Sequence, residues 1–585
     1  MRIKITTPVI QNCSQITSAV RLLGAFTVFG LFVFSCSPKT PESEQVEVIK
    51  VDSTAIKAAI QRSADSNLIA FFLHENISSI LIEEEFTILE EPIFSKTMLP
   101  QLYDSIAYRL IWNSDTLRRE MLNVLLDAKE EGLEPSNYHV QKLLELEINP
   151  SYEFKELVER DILLTDGLIL YSYHLLNGMT DANSFEPTLT REEREVSPVL
   201  FNELTTYLFH GEIKKIVSDL RPSTVYYSGM VEGLKKYSAL RDSGGWAPLQ
   251  TAIKKIEPHD EYRKFIPKLR KRLLIEGDLE LLMDSLQKDS LMNNPVYDSL
   301  LVDAVKKFQI RHGLNDDGII GKGTLDMLNI SAEEKVELLK INLERARWVY
   351  HDLPPSYVFV NIPGYELRLI RDSALVWSTR VVAGKITSAT PIFKDEMQYV
   401  VFNPTWTVPS SISNNEFLPK AQKDSTFFQR NNMELITGSG KKVNPADVDF
   451  SQIKVGNFPY VVKQGAGGSN SLGRVKFIFP NPHYIYLHDT PSRRHFARER
   501  RAFSHGCIRV EDPIRLSELI LEDQEVSPDS IQSILETREP TRLNLEEILP
   551  VYLTYSTAFA DENNIYFFED VYERDPPLLE ALGLD

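Results

Sequence analysis

From about residue 51 to 260, apolar positions recur at intervals of three and four, the spacing of one buried helix face, so this stretch reads as helical. Within it, Thr165-Asp166-Gly167-Leu168-Ile169-Leu170-Tyr171-Ser172-Tyr173-His174-Leu175-Leu176-Asn177-Gly178 suits a helix closed by a glycine cap. Between about 263 and 330, Ala304-Val305-Lys306-Lys307-Phe308-Gln309-Ile310-Arg311-His312-Gly313-Leu314 offers Val305 and Phe308 as a core face. Gly313 ends that helix and Asp317-Gly318 supplies a turn. Glu344-Arg345-Ala346-Arg347-Trp348 closes a connecting helix. From Tyr357 the pattern changes to β-branched runs broken by glycine: Val358-Phe359-Val360-Asn361-Ile362, Leu367-Arg368-Leu369-Ile370 and Ser378-Thr379-Arg380-Val381-Val382 read as strands. Between Pro409 and about Tyr460 the chain turns polar and partly helical. After about 526 the strand pattern returns, as in Val551-Tyr552-Leu553-Thr554-Tyr555 and Asn564-Ile565-Tyr566-Phe567-Phe568. The expected architecture is multidomain α+β, and 585 residues exceed what one core can organise.

The N-terminus carries a different signal. Arg2, Lys4 and Arg21 precede an apolar run over 22–34, too short for a membrane span of roughly twenty residues but suited to a signal-peptide core. Ser35-Cys36 after it resembles a bacterial lipoprotein cleavage site, with Cys36 as the lipidated residue. Phe34 is bulky for that site and leucine is absent three positions before the cysteine. An uncleaved membrane anchor and a buried core helix are the alternatives. The polar stretch over 36–50 then reads as a tether.

Composition changes the picture in two ways. Removing residues 1–35 takes away three positive charges and no acids, lowering the net charge from −19 to −22, which argues against nucleic acid as a partner. There are three cysteines, Cys13, Cys36 and Cys507. Cys507 is therefore the one thiol in the folded part, no structural disulfide is expected, and a lone thiol in an exported chain points to catalysis. It sits in Ser504-His505-Gly506-Cys507-Ile508-Arg509, with His488 nineteen positions earlier in Tyr486-Leu487-His488-Asp489-Thr490. A histidine within reach of a thiol is the usual acceptor of its proton. His139, His174 and His210 are scattered, and His483, His488, His495 and His505 lack a carboxylate or thiol set at ligand spacing, so no metal and no cofactor is expected.

These residues resemble the catalytic signature of the L,D-transpeptidase (YkuD) family, and the resemblance extends through Asn403-Pro404-Thr405-Trp406-Thr407-Val408-Pro409, Gln464-Gly465-Ala466-Gly467, Asn470-Ser471-Leu472-Gly473 and Phe479-Pro480-Asn481. It is the large branch of that family that these outer motifs are similar to. The resemblance implies a helical scaffold over 51–262, a small three-helix peptidoglycan-binding-like module over 263–332 and a connecting helix over 333–352. A β-rich, β-sandwich-like catalytic domain would follow over 353–585, with a capping insertion at about 410–460 that acts as a lid. The module could bind wall or serve only as a spacer.

The implied reaction is acyl transfer. Cys507 attacks the third residue of a peptidoglycan stem tetrapeptide, a thioester forms, and an acceptor amine of a neighbouring stem takes the acyl group to give a 3-3 crosslink. His488 is the expected base. Gly506 permits a strained turn, and its amide with that of Cys507 is placed at the oxyanion. Ser504 belongs to the motif, His505 is either a second base or a loop-fixing residue, Asp489 either orients an imidazole or forms a turn, and Tyr486 either offers a hydroxyl or packs a strand. Arg509, Arg493, Arg494, Trp406 and Asn470 are the expected substrate contacts, with Arg493, Arg494, Arg498, Arg500 and Arg501 forming a local positive field for stem carboxylates. Carbapenem-type β-lactams are expected to acylate the thiol. The implied location is the periplasm, on a lipid-anchored protein. A related cysteine carboxypeptidase that gives the acyl group to water is the nearest alternative, and a non-catalytic wall-binding lipoprotein the most distant.

Overall fold

The computed structural model describes residues 53–82, 85–148, 153–196, 207, 212–280 and 285–584; the signal-like run, the tether, Cys36 and His210 lie outside them. The chain falls into two compact units, Met1–Ser63 and Ala64–Asp585, and every motif residue belongs to the second.

The helical region is organised around the helix Phe154–Asn177, which buries residues on all of its faces, including Val158, Ile162, Leu164, Leu168 and Leu175. Met98–Ser105, Asp115–Leu126 and Val140–Ile148 pack around it, beside a short hairpin of β1 (Thr87–Ile88) and β2 (Glu91–Pro92). Its buried acids tie down loops: Asp161 accepts the N–H groups of Ile111 and Trp112 (3.2 and 2.8 Å), and Asp166 accepts those of Phe94 and Ser95 (3.2 and 2.7 Å). Gly178 closes this helix with φ +87°, and any Cβ there would lie 2.5 Å from Glu344 Oε1 of the helix Ala332–Val349. Glycine is needed both for the turn and for that close approach.

The next core gathers Leu269, Leu273, Tyr297, Val305 and Phe308 from the helices Ile266–Glu276 and Ser299–Arg311 and the segment between them, with Leu328 from Lys322–Leu328. Ala332–Val349 follows, started by a capping box between Ser331 and Glu334.

The C-terminal part is a mixed sheet. Its strands are β3 (Tyr357–Asn361), β4 (Glu366–Arg371), β5 (Ala374–Gly384), β6 (Phe393–Phe402), β11 (Val475–Ile478), β12 (Leu487–His488), β13 (Ala502–Ser504), β14 (Ile508–Val510) and β15 (Thr541–Thr554). They run in the order β13-β5-β14-β12-β11-β6-β15-β3-β4, and β4 also pairs with β5, so the sheet closes on itself around one core. Between β6 and β11 the chain leaves to build a separate small sheet of β7 (Trp406–Thr407), β10 (Val461–Gln464), β8 (Met433–Ile436) and β9 (Lys442–Val443). Short helices and a core of Phe417, Leu418, Phe428 and Phe450 accompany it. The last hairpin, β16 (Ala558–Ala560) and β17 (Ile565–Phe567), packs against helices Val225–Asp242 and Ala332–Val349.

Candidate active site

The site is set by one parallel pairing. β12 lies beside β14 with Leu487 opposite Ile508 and His488 opposite Arg509, and the Ile508 N–H donates to the Tyr486 carbonyl at 3.2 Å. Side chains alternate along a strand, so the apolar Leu487 and Ile508 point into the core while Tyr486, His488, Cys507 and Arg509 share the other face. The turn before the thiol requires its glycine. Gly506 has φ +118°, and a Cβ there would come within 3.1 Å of Ile485. Ser504 stitches the same turn, donating from Oγ to the Cys507 carbonyl at 2.6 Å and accepting the Gly506 N–H at 3.1 Å. Thr390 holds the Gly506 carbonyl at 2.7 Å.

Burial pushes the Cys507 thiol up to about 11, against the opposing effects of the Tyr486 N–H, the Tyr486 hydroxyl and the Arg509 charge. Its S–H reaches the Tyr484 carbonyl at 3.7 Å. Burial first, and then the neighbouring Cys507, push the Tyr486 phenol up, with Trp406 beside it opposing. His488 is 5% exposed, and its Nδ1 donates to the Asp489 carbonyl at 2.5 Å. Burial first, then Arg509, holds this imidazole down to about 3, although the Asp489 and Leu472 carbonyls favour its protonated form. The resting pair is thus a protonated thiol and a neutral ring, whose Nδ1–H goes to the Asp489 carbonyl and not to sulfur.

Arg509 has a buried Nε with no partner, and burial draws its pKa down. An unpaired, partly desolvated guanidinium beside a thiol is a ready carboxylate receptor.

Several residues singled out in the sequence take other places. The Asp489 carboxylate does not face the imidazole. It accepts the Arg474 and Thr490 N–H groups at 2.8 and 2.7 Å, and only its backbone carbonyl orients His488. Asn470 is spent on its own loop, donating to Pro404 and Gly465 carbonyls at 3.1 and 2.8 Å and accepting Leu472 N–H at 2.8 Å. The Gly506 amide is already donated to Ser504. The five arginines do not form one field: Arg501 is 7% exposed and caps carbonyls including those of Val381 and Arg498. Arg500 pairs with Glu569 at 3.7 Å, Arg493 binds Asp489 and the Glu511 carbonyl, and Arg494 and Arg498 remain exposed. His505 is exposed and pairs through Nε2 with Glu416 of the insertion. Two site residues carried no sequence signal: Glu416, distant in the chain, and Tyr484, 84% exposed with φ +57° and its carbonyl on the thiol. Among the described residues no group of three or more His, Cys, Asp or Glu side chains could hold a metal.

Three family models match the chain in order: a scaffold domain at residues 97–234, a provisionally named peptidoglycan binding domain at 278–328, and an L,D-transpeptidase catalytic domain at 355–527. The last spans β12, the thiol turn and β14. Residues 355–527 are thus similar to L,D-transpeptidase catalytic domains. A Haemophilus influenzae protein provisionally named an L,D-transpeptidase is 35% identical over 239 residues, covering 40% of this chain. The aligned part is 48% of that relative, so the chain spans about half the length of the curated relative it matches. Two solved structures are also similar. One is an L,D-transpeptidase of Stackebrandtia nassauensis (13% identity, 52% of this chain, 97% of that one, TM-score 0.19). The other is residues 123–326 of the L,D-transpeptidase of Xylanimonas cellulosilytica (11%, 52%, 100%, TM-score 0.16). Scores that low carry no argument about this chain. The architecture is a helical N-terminal region, a small helical module and a β-rich L,D-transpeptidase domain with helices.

Proposed function

We propose that this L,D-transpeptidase domain forms 3-3 crosslinks through a thioester on Cys507. The carrying observation is the shared face of Tyr486, His488, Cys507 and Arg509, in which a half-buried thiol lies beside an unpaired guanidinium. Arg509 receives a carboxylate of the donor stem and draws the peptide over the sulfur. His488 donates Nδ1–H to the Asp489 carbonyl, so its Nε2 keeps the lone pair. The ring is a diagonal neighbour of Cys507 on that face, which is what supports His488 as the base.

With the thiol near 11 and the ring near 3, a standing thiolate–imidazolium pair is disfavoured. Proton removal then accompanies attack as general-base catalysis, for which a positioned imidazole supplies about 10²–10⁴-fold. Sulfur bonds to the carbonyl carbon of the third stem residue, the bond to the terminal D-alanine breaks, and the imidazolium returns its proton to the leaving amine. Since Ser504 occupies the Gly506 amide, the Cys507 N–H is the motif donor left for the oxyanion. An acceptor amine then forms the new C–N bond as the C–S bond breaks.

Supporting the wall as substrate are the peptidoglycan-binding and scaffold matches beside the catalytic one. Lipidation at Cys36 would place the domain in the cell envelope, and β-lactams would leave an adduct on Cys507. Incubating the full chain with disaccharide tetrapeptide and weighing the products tests the reading. Dimers are expected; tripeptides alone would move it to a hydrolase, and unchanged activity in Cys507→Ala would remove the cysteine mechanism.

A further inference from the structure

The capping insertion reaches the thiol turn at two adjacent positions. Ser413–Phe417 is a wide π turn in which the Leu418 N–H donates to the Ser413 carbonyl, and such turns displace a side chain from the ordinary helical register. Phe417 points inward, 7% exposed, and packs edge-on against Trp406 at 6.0 Å. Trp406 in turn neighbours Tyr486, which lies beside Cys507. Glu416, the neighbour of that anchored ring, points the other way and pairs with His505 Nε2. Both side chains stay about one-third exposed, 34% and 38%, so the pair stands at the opening of the site. The other nearby carboxylate, Asp489, is held by backbone amides, and the donor side is served by a guanidinium.

We propose that Glu416 is the acceptor-binding residue, a carboxylate that trades its contact with His505 for the ammonium of the incoming amine. This rests on the thioester reading above. The acceptor must arrive charged, as R–NH₃⁺, and must lose a proton to become nucleophilic. Glu416 holds the ammonium while the His505 imidazole takes that proton and later releases it to solvent. The freed amine attacks the thioester carbonyl, a C–N bond forms, the C–S bond breaks, and the second amine proton passes to the departing sulfur. Acyl-thioester and R–NH₃⁺ thus become amide, thiol and one released proton. Donor and acceptor are recognised by opposite charges, Arg509 on the sheet and Glu416 on the insertion, which keeps the two stems from exchanging places.

The test uses the full chain with disaccharide tetrapeptide as donor and a disaccharide tripeptide bearing a free side-chain amine as acceptor. D-alanine release reports acylation, and the dimer-to-tripeptide ratio reports transfer. Glu416→Gln is expected to raise the acceptor KM about ten-fold, the worth of one exposed charge-assisted contact, and to shift products from dimers to tripeptides. D-alanine release without acceptor should change less than about two-fold, and Glu416→Asp should recover part of the dimer yield. If D-alanine release and dimers fall in parallel, or the acceptor KM does not move, Glu416 has no acceptor role and the proposal alone is overturned. A wild-type chain that releases no D-alanine overturns the thioester reading as well.

Discussion

Glu276 and Arg509 are both charged groups withdrawn from water, and their surroundings differ in kind. Glu276, at the end of Ile266–Glu276, meets Lys335 and, at 2.6 Å, Arg272, and accepts the Tyr237 hydroxyl at 3.1 Å. Arg272 stacks 3.6 Å over Trp246, and the neighbouring Arg311 grips Asp278 through two bonds of 2.7 and 2.6 Å. Burial raises the Glu276 carboxyl, yet Lys335 and then Arg272 hold it well below the usual range. Every charge in the cluster meets an opposite charge, although Arg272 Nη2 is buried without a hydrogen-bond partner, and the cluster joins the helical module to the helix Ala332–Val349. Among the described residues Arg509 has no such counter-charge. Its companions are a thiol and a neutral imidazole, and a buried nitrogen is left over. Charge buried with its partners is a staple; charge buried without them waits for a ligand.

Four measurements sharpen or break that contrast. The largest effect belongs to the nucleophile: Cys507→Ala should lower dimer formation at least about a thousand-fold while leaving the melting temperature near wild type. Product mass and thermal denaturation on the same preparation check it. Next, Lys335→Ala leaves Glu276 with Arg272 as its remaining partner cation and should cost up to about 3–5 kcal/mol in denaturant unfolding, the usual penalty for breaking a buried pair. Activity per folded molecule should persist.

Arg509→Met should do the reverse. Donor KM should rise about ten- to a hundred-fold, as lost charge-assisted contacts do. Stability should hold or gain up to about 1 kcal/mol, because an unpaired buried charge has been removed. A large loss of stability in Arg509→Met would erase the distinction between the two clusters. The smallest effect is on pH. A folded imidazole near 3 against 6.5 for a free one adds stability that is present above pH 6.5 and is lost as pH falls from 6.5 toward 3. For Cys507, near 11 against 9.0, the contribution is present below pH 9 and is lost between 9 and 11. Unfolding free energies measured in denaturant from pH 7 to 5 should fall less steeply in His488→Gln, by up to about 1.4 kcal/mol per pH unit.

How far the sequence carried differs by element. The turn of Ser504, Gly506 and Cys507 was legible because a tight turn constrains consecutive residues, and the helices were legible through their three-and-four spacing. Gly178 was read as a cap, and the structure adds the close approach of Glu344. What local sequence lacks is direction. Arg501 faces carbonyls and Arg494 faces water in what reads as one basic run, and of the two readings of Asp489 the carboxylate takes the turn while the backbone carbonyl meets the imidazole. Glu416 was invisible for another reason: it meets His505 across 89 positions, through an insertion whose pattern shows only polarity.

One strand bears on how the molecule is made. β15 sits between β6 and β3, so the ring of strands has a missing stave until Thr541–Thr554 arrives, after both catalytic candidates and the whole signature have left the ribosome. A growing chain therefore holds its thiol in an unfinished frame until Thr541–Thr554 has been made, and a premature stop near residue 540 would yield a polypeptide with every motif residue and no closed sheet to seat them.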